Sequence, residues 1–412
     1  MTTLTKNEII KTAFIILAAF LAYGLVAGLR ATSGVFVSEI ANISGISYGS
    51  ISTVVTIRNL LFAIACPFWG FMTLRKSYTF ILTIGLILTA LGFAGILVFS
   101  SFIGLIIFQG IFFGIGAGAL CYSITYAAAA SFLTPKTAAV FAGILSMSQG
   151  VFNIILAPVV RFSSGFDNGF IVCMVFIAIA IAAIIPLTFF FKWQKNHTNT
   201  AAESSADELV SVKSILKTMA KSPFFYLISI SYFIYGLCQG GMMNHLLRRG
   251  TSMMGLDANG ATILVMIYGF ALIIGPLLAG IIASRIANKR LALAAMFLAW
   301  VIVALISCMI IPGNTIATIV VIVILGVLIS MAVPYHALLT RERVPLKSFA
   351  ATFSIISMFE VFGYAANAFF GGLCFDITGS FLSFDFIVIG LAGAIGIIFG
   401  ITGFRRRKQL SP

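Results

Sequence analysis

The sequence predicts an all-α membrane protein, with twelve transmembrane helices in two pseudo-symmetric six-helix bundles. Three observations carry that expectation. Of 412 residues, 61% are hydrophobic and only 9% charged, more apolar surface than a soluble protein of this length can hide. The apolar residues fall in runs of about 20, the length of a helix that crosses a bilayer and satisfies its own backbone there. One long polar segment, KWQKNHTNTAAESSADELVSVKSILKTMAKS at 192–222, leaves six runs on each side.

Taken in order, the expected spans are 12–37, 48–72, 78–99, 102–132, 138–160, 168–191, 223–247, 259–284, 291–312, 315–339, 349–374 and 382–404. The first run is longer than a secretory apolar core and no A-x-A cleavage pattern follows, so it is read as a retained helix. Of 25 Lys and Arg, 20 fall on the side shared by the N-terminus, three (Arg161, Arg248, Arg249) on the other, and two, Arg30 and Arg58, within spans. The positive-inside rule then places both termini in the cytoplasm of a multi-pass protein of the cytoplasmic (inner) membrane. The same accounting explains the net charge of +14: basic residues stand beside helix ends, where they meet anionic lipid, and no nucleic-acid partner is expected. Six cysteines sit singly in apolar runs without C-x-x-C spacing, so no metal or redox site is expected.

The polar segment sets the domain boundaries: an N-terminal bundle at 1–191, a linker at 192–222 and a C-terminal bundle at 223–412. Within the linker, 196–206 has the composition of a disordered stretch, while ADELVSVKSILKTMAK favours a short amphipathic surface helix. The halves also echo each other. GFMTLRKSYT (70–79) follows span two and GIIASRIANKR (280–290) follows span eight, each with a glycine five residues before an arginine on a short turn. Repeated halves with a site between them are a hallmark of secondary transporters.

These turns resemble the major facilitator superfamily's G-x-x-x-D-R-x-G-R/K-R/K. Gly70, Arg75, Gly280 and Arg285 match the pattern, while Leu74 and Ser284 replace its acid. Finer features, GLRATSGVF (28–36), RNLLFAIACPFWG (58–70) and GGLCFDITGSF (371–381), are similar to the bacterial monocarboxylate-transporter-like branch that includes the oxalate/formate antiporter. The resemblance spans nearly the whole chain. It implies the major facilitator fold, transport by alternating access, and a cavity lined by spans one, four, seven and ten.

Charges inside spans cost several kcal/mol unless paired or hydrated, which marks Arg30, Arg58 and Glu360. Arg58 lies about ten residues into span two and Glu360 twelve into span eleven, both near mid-depth. Spans two and eleven pack together in the superfamily, so an Arg58–Glu360 pair is expected. It would serve either as a static tie between halves or as a gate that substrate or a proton disturbs. In the antiporter's pattern, two cations on spans eight and eleven hold a dicarboxylate; here those positions are Gly275 and Glu360. Arg30 is thus the best remaining anion ligand, unless it pairs with Glu360 or a helix end.

Polar groups expected in the cavity are Tyr23, Tyr122, Thr125, Tyr126, Tyr232, Tyr235, Gln239 and Tyr335, with Gln149, Asn153 and Tyr268 as additions. His336 is a candidate proton relay, because an imidazole ordinarily titrates near physiological pH, though near the cytoplasmic end of span ten a packed or solvated histidine is commoner. Glu360 is the better proton carrier, because a buried carboxyl protonates once its cation moves away. Gly110, Gly114 and Gly118, and likewise Gly396 and Gly400, form small-residue faces for close helix approach. No catalytic constellation or phosphate-cradling loop is present, so neither an enzyme nor an ATP-driven pump is expected, and no cofactor. The G-x-x-x-G-P-x-x-G-G pattern of drug/proton antiporters is not met in span five.

The reading is a monomeric symporter or antiporter for a small carboxylate-bearing metabolite, driven by a proton or a counter-solute. The alternatives are export of a larger metabolite such as a siderophore, and a non-transporting membrane sensor on the same fold.

Overall fold

A computed structural model describes residues 6–33, 35–36, 40, 45–46, 48–95, 101–163, 166, 168–193, 212–309 and 314–410. The N-terminal bundle comprises α1 (Lys6–Ala31), α2 (Tyr48–Met72), α3 (Tyr78–Ala94), α4 (Phe102–Ala130), α5 (Pro135–Ser163) and α6 (Gly169–Phe191). The C-terminal bundle comprises α7 (Pro223–Met253), α8 (Ala258–Arg285), α9 (Lys289–Cys308), α10 (Thr315–Ser330 and Ala332–Arg341), α11 (Leu346–Thr378) and α12 (Leu382–Leu410). Among the described residues eleven helices are long and apolar enough to cross a membrane, and the shorter α3 occupies the twelfth place.

Helix starts follow from residues that accept the first free amides. Ser77 accepts from Phe80 N at 3.3 Å, Asp257 from Gly260 N at 2.9 Å, and Asn314 from Ala317 N at 3.1 Å. At the other end of α11, Gly379 takes a φ of 70°, which a side chain would strain, and its N–H closes the helix on Phe375 O at 2.8 Å.

Packing repeats with a shift of six helices. In the N-terminal bundle α1 lies on α5, α2 on α4 and α3 on α6; in the C-terminal bundle α7 lies on α11, α8 on α10 and α9 on α12. The bundles meet along two seams, α2 on α11 and α5 on α8, which that shift exchanges. The small-residue faces are used as expected. A Cβ on Gly114 would meet Arg58 O and one on Gly118 would meet Ala65, both on α2, while Gly396 packs on Phe297 and Leu298 of α9. Gly275 backs onto Val327 O and Ser330 of α10, so a side chain has no room at that position.

The linker helix runs over Val212–Ala220, inside the stretch expected to be amphipathic. Its Ile215 and Met219 are buried against Ala351 of α11, with Phe71 and Leu74 from the end of α2 and Phe225 of α7 beside them. It therefore bridges both bundles at the face that carries the termini. The stretch 196–206 lies outside the described residues.

Candidate substrate site between the two bundles

The site begins with a fault in α4. After a π-helical stretch at Ile106–Phe112, the helix stops at Ala119 and a new one runs over Tyr122–Ala130. Cys121, with φ −64° and ψ 159°, is extended, so a second helix begins inside the protein, where Cys121 O accepts from Ile124 N and Thr125 N and its thiol meets Ser123 Oγ at 3.0 Å. Interrupted helices of this kind present backbone dipoles to ligands at mid-depth. Across the break, Tyr122 meets Tyr23 of α1 edge-on at 5.4 Å.

Tyr23 leads to the charges. Arg30 of α1 and Glu360 of α11 act on one another and on Tyr23, Tyr235 and Tyr364. The Tyr232 hydroxyl faces the Glu360 carboxyl. Arg30, Glu360 and Tyr23 are half-buried although flanked by fully buried helix faces, so they border a solvent-sized space between the bundles. Arg30 lies 3.9 Å over the Phe62 ring, and its Nε is buried with no hydrogen-bond partner. The Glu360 backbone is held by close contact: a Cβ on Gly236 of α7 would collide with Glu360 O. Glycine at Gly236 therefore fixes how deep the carboxyl sits.

The expected Arg58–Glu360 pair is not formed. Arg58 is 5% exposed and lines a small pocket within the N-terminal bundle with Val54, Leu105 and Gln109, its guanidinium 5.1 Å over the Phe113 ring. The reason is rotation. The face of α2 that packs on α11 is carried by Gly70, three turns away and on another side of the helix, while Arg58 is on the side that packs on α4. The carboxyl instead faces Arg30, the alternative pairing open to that residue.

Tyr122 and Tyr126, expected in the cavity wall, are buried against α5. Their hydroxyls donate to carbonyls of α5, Tyr122 to Ala142 O at 2.9 Å and Tyr126 to Ala138 O at 3.3 Å. Both rings are buried beneath the site. Tyr126 also receives a hydrogen bond from Arg341 Nη1 of α10 at 3.0 Å and packs on Phe349 of α11 at 5.5 Å. The two bundles are thus sealed at the termini-bearing face. The turn glycines belong to the same seal: a Cβ on Gly70 would overlap Ser354 and Ala350 O of α11, and Gly280 backs onto Gly143 of α5. Arg75 and Arg285 are exposed on their turns.

His336 is fully buried. Its Nδ1 meets Ala332 O at 2.7 Å, its Nε2 meets Ser231 Oγ at 2.8 Å, and its ring stacks on Tyr232 at 4.5 Å. Carbonyl oxygen only accepts, so Nδ1 carries the proton and Nε2 accepts from Ser231. Both nitrogens are engaged, and the ring packs on Tyr232, whose hydroxyl faces Glu360. Tyr235 stacks on Tyr232 at 5.2 Å, while Gln239 and Tyr335 are buried in the C-terminal bundle. Sequence reasoning missed the break in α4 and Tyr364. A polar group four residues after Glu360 shares its face and signals the latter.

Two helix bundles meeting on exchanged seams, shut at one face around opposed charges, define a membrane carrier of the secondary transporter class rather than an enzyme. The chain belongs to the major facilitator superfamily, whose family model matches residues 19–334. No curated protein matches it in sequence. Among solved structures it is similar to the E. coli fucose:proton symporter FucP, at TM-score 0.70 and 14% identity over 96% of this chain and 99% of that one. It is also similar to the proton:xylose symporter XylE, at TM-score 0.71 and 13% identity over 96% and 95%. The human organic anion transporter MFSD10 (TETRAN) aligns at TM-score 0.68 and 13% identity over 98% and 99%. At these identities the likeness is one of fold.

Proposed function

We propose that the chain moves a small carboxylate-bearing solute together with a proton across the cytoplasmic membrane, as a monomer with both termini in the cytoplasm. With that orientation, the seal at the termini-bearing face closes the cytoplasmic side. The observation that carries the reading is the opposition of Arg30 and Glu360 between the bundles without ion-pair contact, with Arg30 Nε left without a partner. A solute carboxylate placed there would satisfy Arg30. It would also stand beside Glu360, and two negative charges on one buried cation repel. Protonation of Glu360 removes that repulsion, so anion and proton enter together and leave together.

Uptake into proteoliposomes under an imposed pH gradient, alkaline inside, tests the reading with a panel of labelled monocarboxylates. Accumulation above that in empty vesicles is expected, with Glu360→Gln keeping solute exchange but no longer accumulating. Accumulation by Glu360→Gln equal to the parent removes the proton role. Flux confined to labelled sugars, added to the panel as solutes without a carboxylate, removes the carboxylate, and no flux of any solute removes the carrier.

A further inference from the structure

A second cavity, of about 230 Å³, opens at the termini-bearing face, between the linker helix, the start of α7, the turn from α10 to α11, and α11 itself. Arg30, Glu360 and Tyr23 take no part in its wall. The interior is mostly apolar, with Met219, Phe225, Ile228 and Ile356 around it. The rim is cationic. Arg343 lies 5.0 Å over the ring of Phe224, a second wall residue, and Arg290 of α9 comes over the same ring at 5.3 Å. Arg343 is exposed and makes no ion pair among the described residues, while the neighbouring Glu342 is held by Lys289 of α9 at 2.7 Å. The linker helix adds Lys213 and Lys217 and no acid. Of the buried hydroxyls in the wall, Thr340 donates to His336 O and Ser348 to Pro345 O, whereas Thr352, 5% exposed, makes no side-chain hydrogen bond among the described residues.

A guanidinium lying over a ring keeps the N–H groups at its edge free to meet an anion. The wall also changes in step on two helices. Ser348, Thr352 and Ile356 stand one turn apart on one face of α11, and α7 runs likewise from Ser222 to Ile228. Hydroxyls thus lie toward the turn that carries Arg343, and aliphatic side chains lie away from it. The geometry points to a binding site for a single-chain amphipathic anion, with a carboxylate head at Arg343 and an unbranched apolar tail against Ile228 and Ile356. A two-chain phospholipid is too bulky for this volume. The site is separate from the seam between the bundles and stands whether or not the proposed solute is correct. Its occupant would touch the linker, because Ile215 and Met219 wall the cavity and also seat the linker helix on α11.

A tryptophan placed in the wall provides the readout. With Trp69, Trp193 and Trp300 replaced by phenylalanine and Phe225→Trp introduced, the purified full chain is titrated with 8-bromooctanoate, whose bromine quenches an indole only on contact. The matched alcohol and the matched trimethylammonium cation serve as probes with the same tail. Saturable quenching by the carboxylate is expected, with the alcohol weaker by about tenfold or more and the cation giving linear quenching alone. Arg343→Gln lowers the carboxylate to the affinity of the alcohol and leaves the alcohol unchanged, which shows the cavity intact. Arg75→Gln, an exposed arginine on the N-terminal bundle's turn, changes neither. Calorimetric titration of the parent chain and of Arg343→Gln with octanoate reads the same difference without any tryptophan replaced. Linear quenching by all three probes, saturation by the cation equal to that by the carboxylate, or an equal loss in Arg75→Gln and Arg343→Gln overturns the proposal.

Discussion

At the scale of single residues, charge in an apolar run was legible and charge pairing was not. Arg30, Arg58 and Glu360 stand out in any reading, because hydrocarbon tolerates each only when it is paired or hydrated. Which cation meets the carboxyl depends on the rotation of α2 and α11 about their axes, and a long apolar helix offers no polar stripe to fix that rotation. Arg58 consequently turned to Phe113 and Arg30 to Glu360. A buried charge-assisted hydrogen bond is worth about 1.5–3 kcal/mol, so Arg30→Gln should raise the KM for transport by about 10- to 150-fold, with Arg30→Lys recovering part of it. Equilibrium binding to each variant checks this. Arg58→Gln, in contrast, should alter folding stability more than solute affinity. His336 makes a separate prediction, since both its ring nitrogens are occupied inside the bundle. His336→Phe leaves Ser231 and Ala332 O without their partner and should cost about 1–3 kcal/mol of stability, seen as a lowered Tm, while proton-driven accumulation per folded molecule is retained.

At the scale of helices, the twelve spans were readable within a few residues, because twenty apolar residues in sequence have one stable use in a bilayer. The break in α4 was not. No proline marks it, and GAGALCYS (116–123) permits a helix as easily as an interruption. Beyond it Tyr122 and Tyr126 are anchored to carbonyls of α5, long-range contacts that no local pattern encodes. The same tyrosines set the seal. Arg341 is bound across the seam by the Tyr126 hydroxyl, so Tyr126→Phe should release the termini-bearing face by about 1.5–3 kcal/mol. In a background without the six native cysteines, maleimide labelling of Ser354→Cys, a fully buried position on the seam, should then rise by about tenfold or more. Unchanged labelling would show that the glycine contacts hold the face by themselves.

At the scale of the whole molecule, the six-plus-six plan was legible in the linker and the repeated turns, and the structure adds what the repeat is for. Gly70 and Gly280 occupy matching places in the two halves, and each admits the opposite bundle to backbone contact. Gly70→Val and Gly280→Val should therefore act alike, wedging the same face open and slowing turnover, with little effect on solute affinity measured at equilibrium. The linker was expected to carry a short amphipathic surface helix, and its apolar side, Ile215 and Met219, is seated against α11 and the end of α2 together. Parting the bundles on that side strips both side chains of their seat, at about 1.5–3 kcal/mol each. The connection should then act as a brake as well as a tether. Shortening the two greasy residues that belong to neither half, as Ile215→Ala with Met219→Ala, should quicken turnover while leaving solute affinity unchanged.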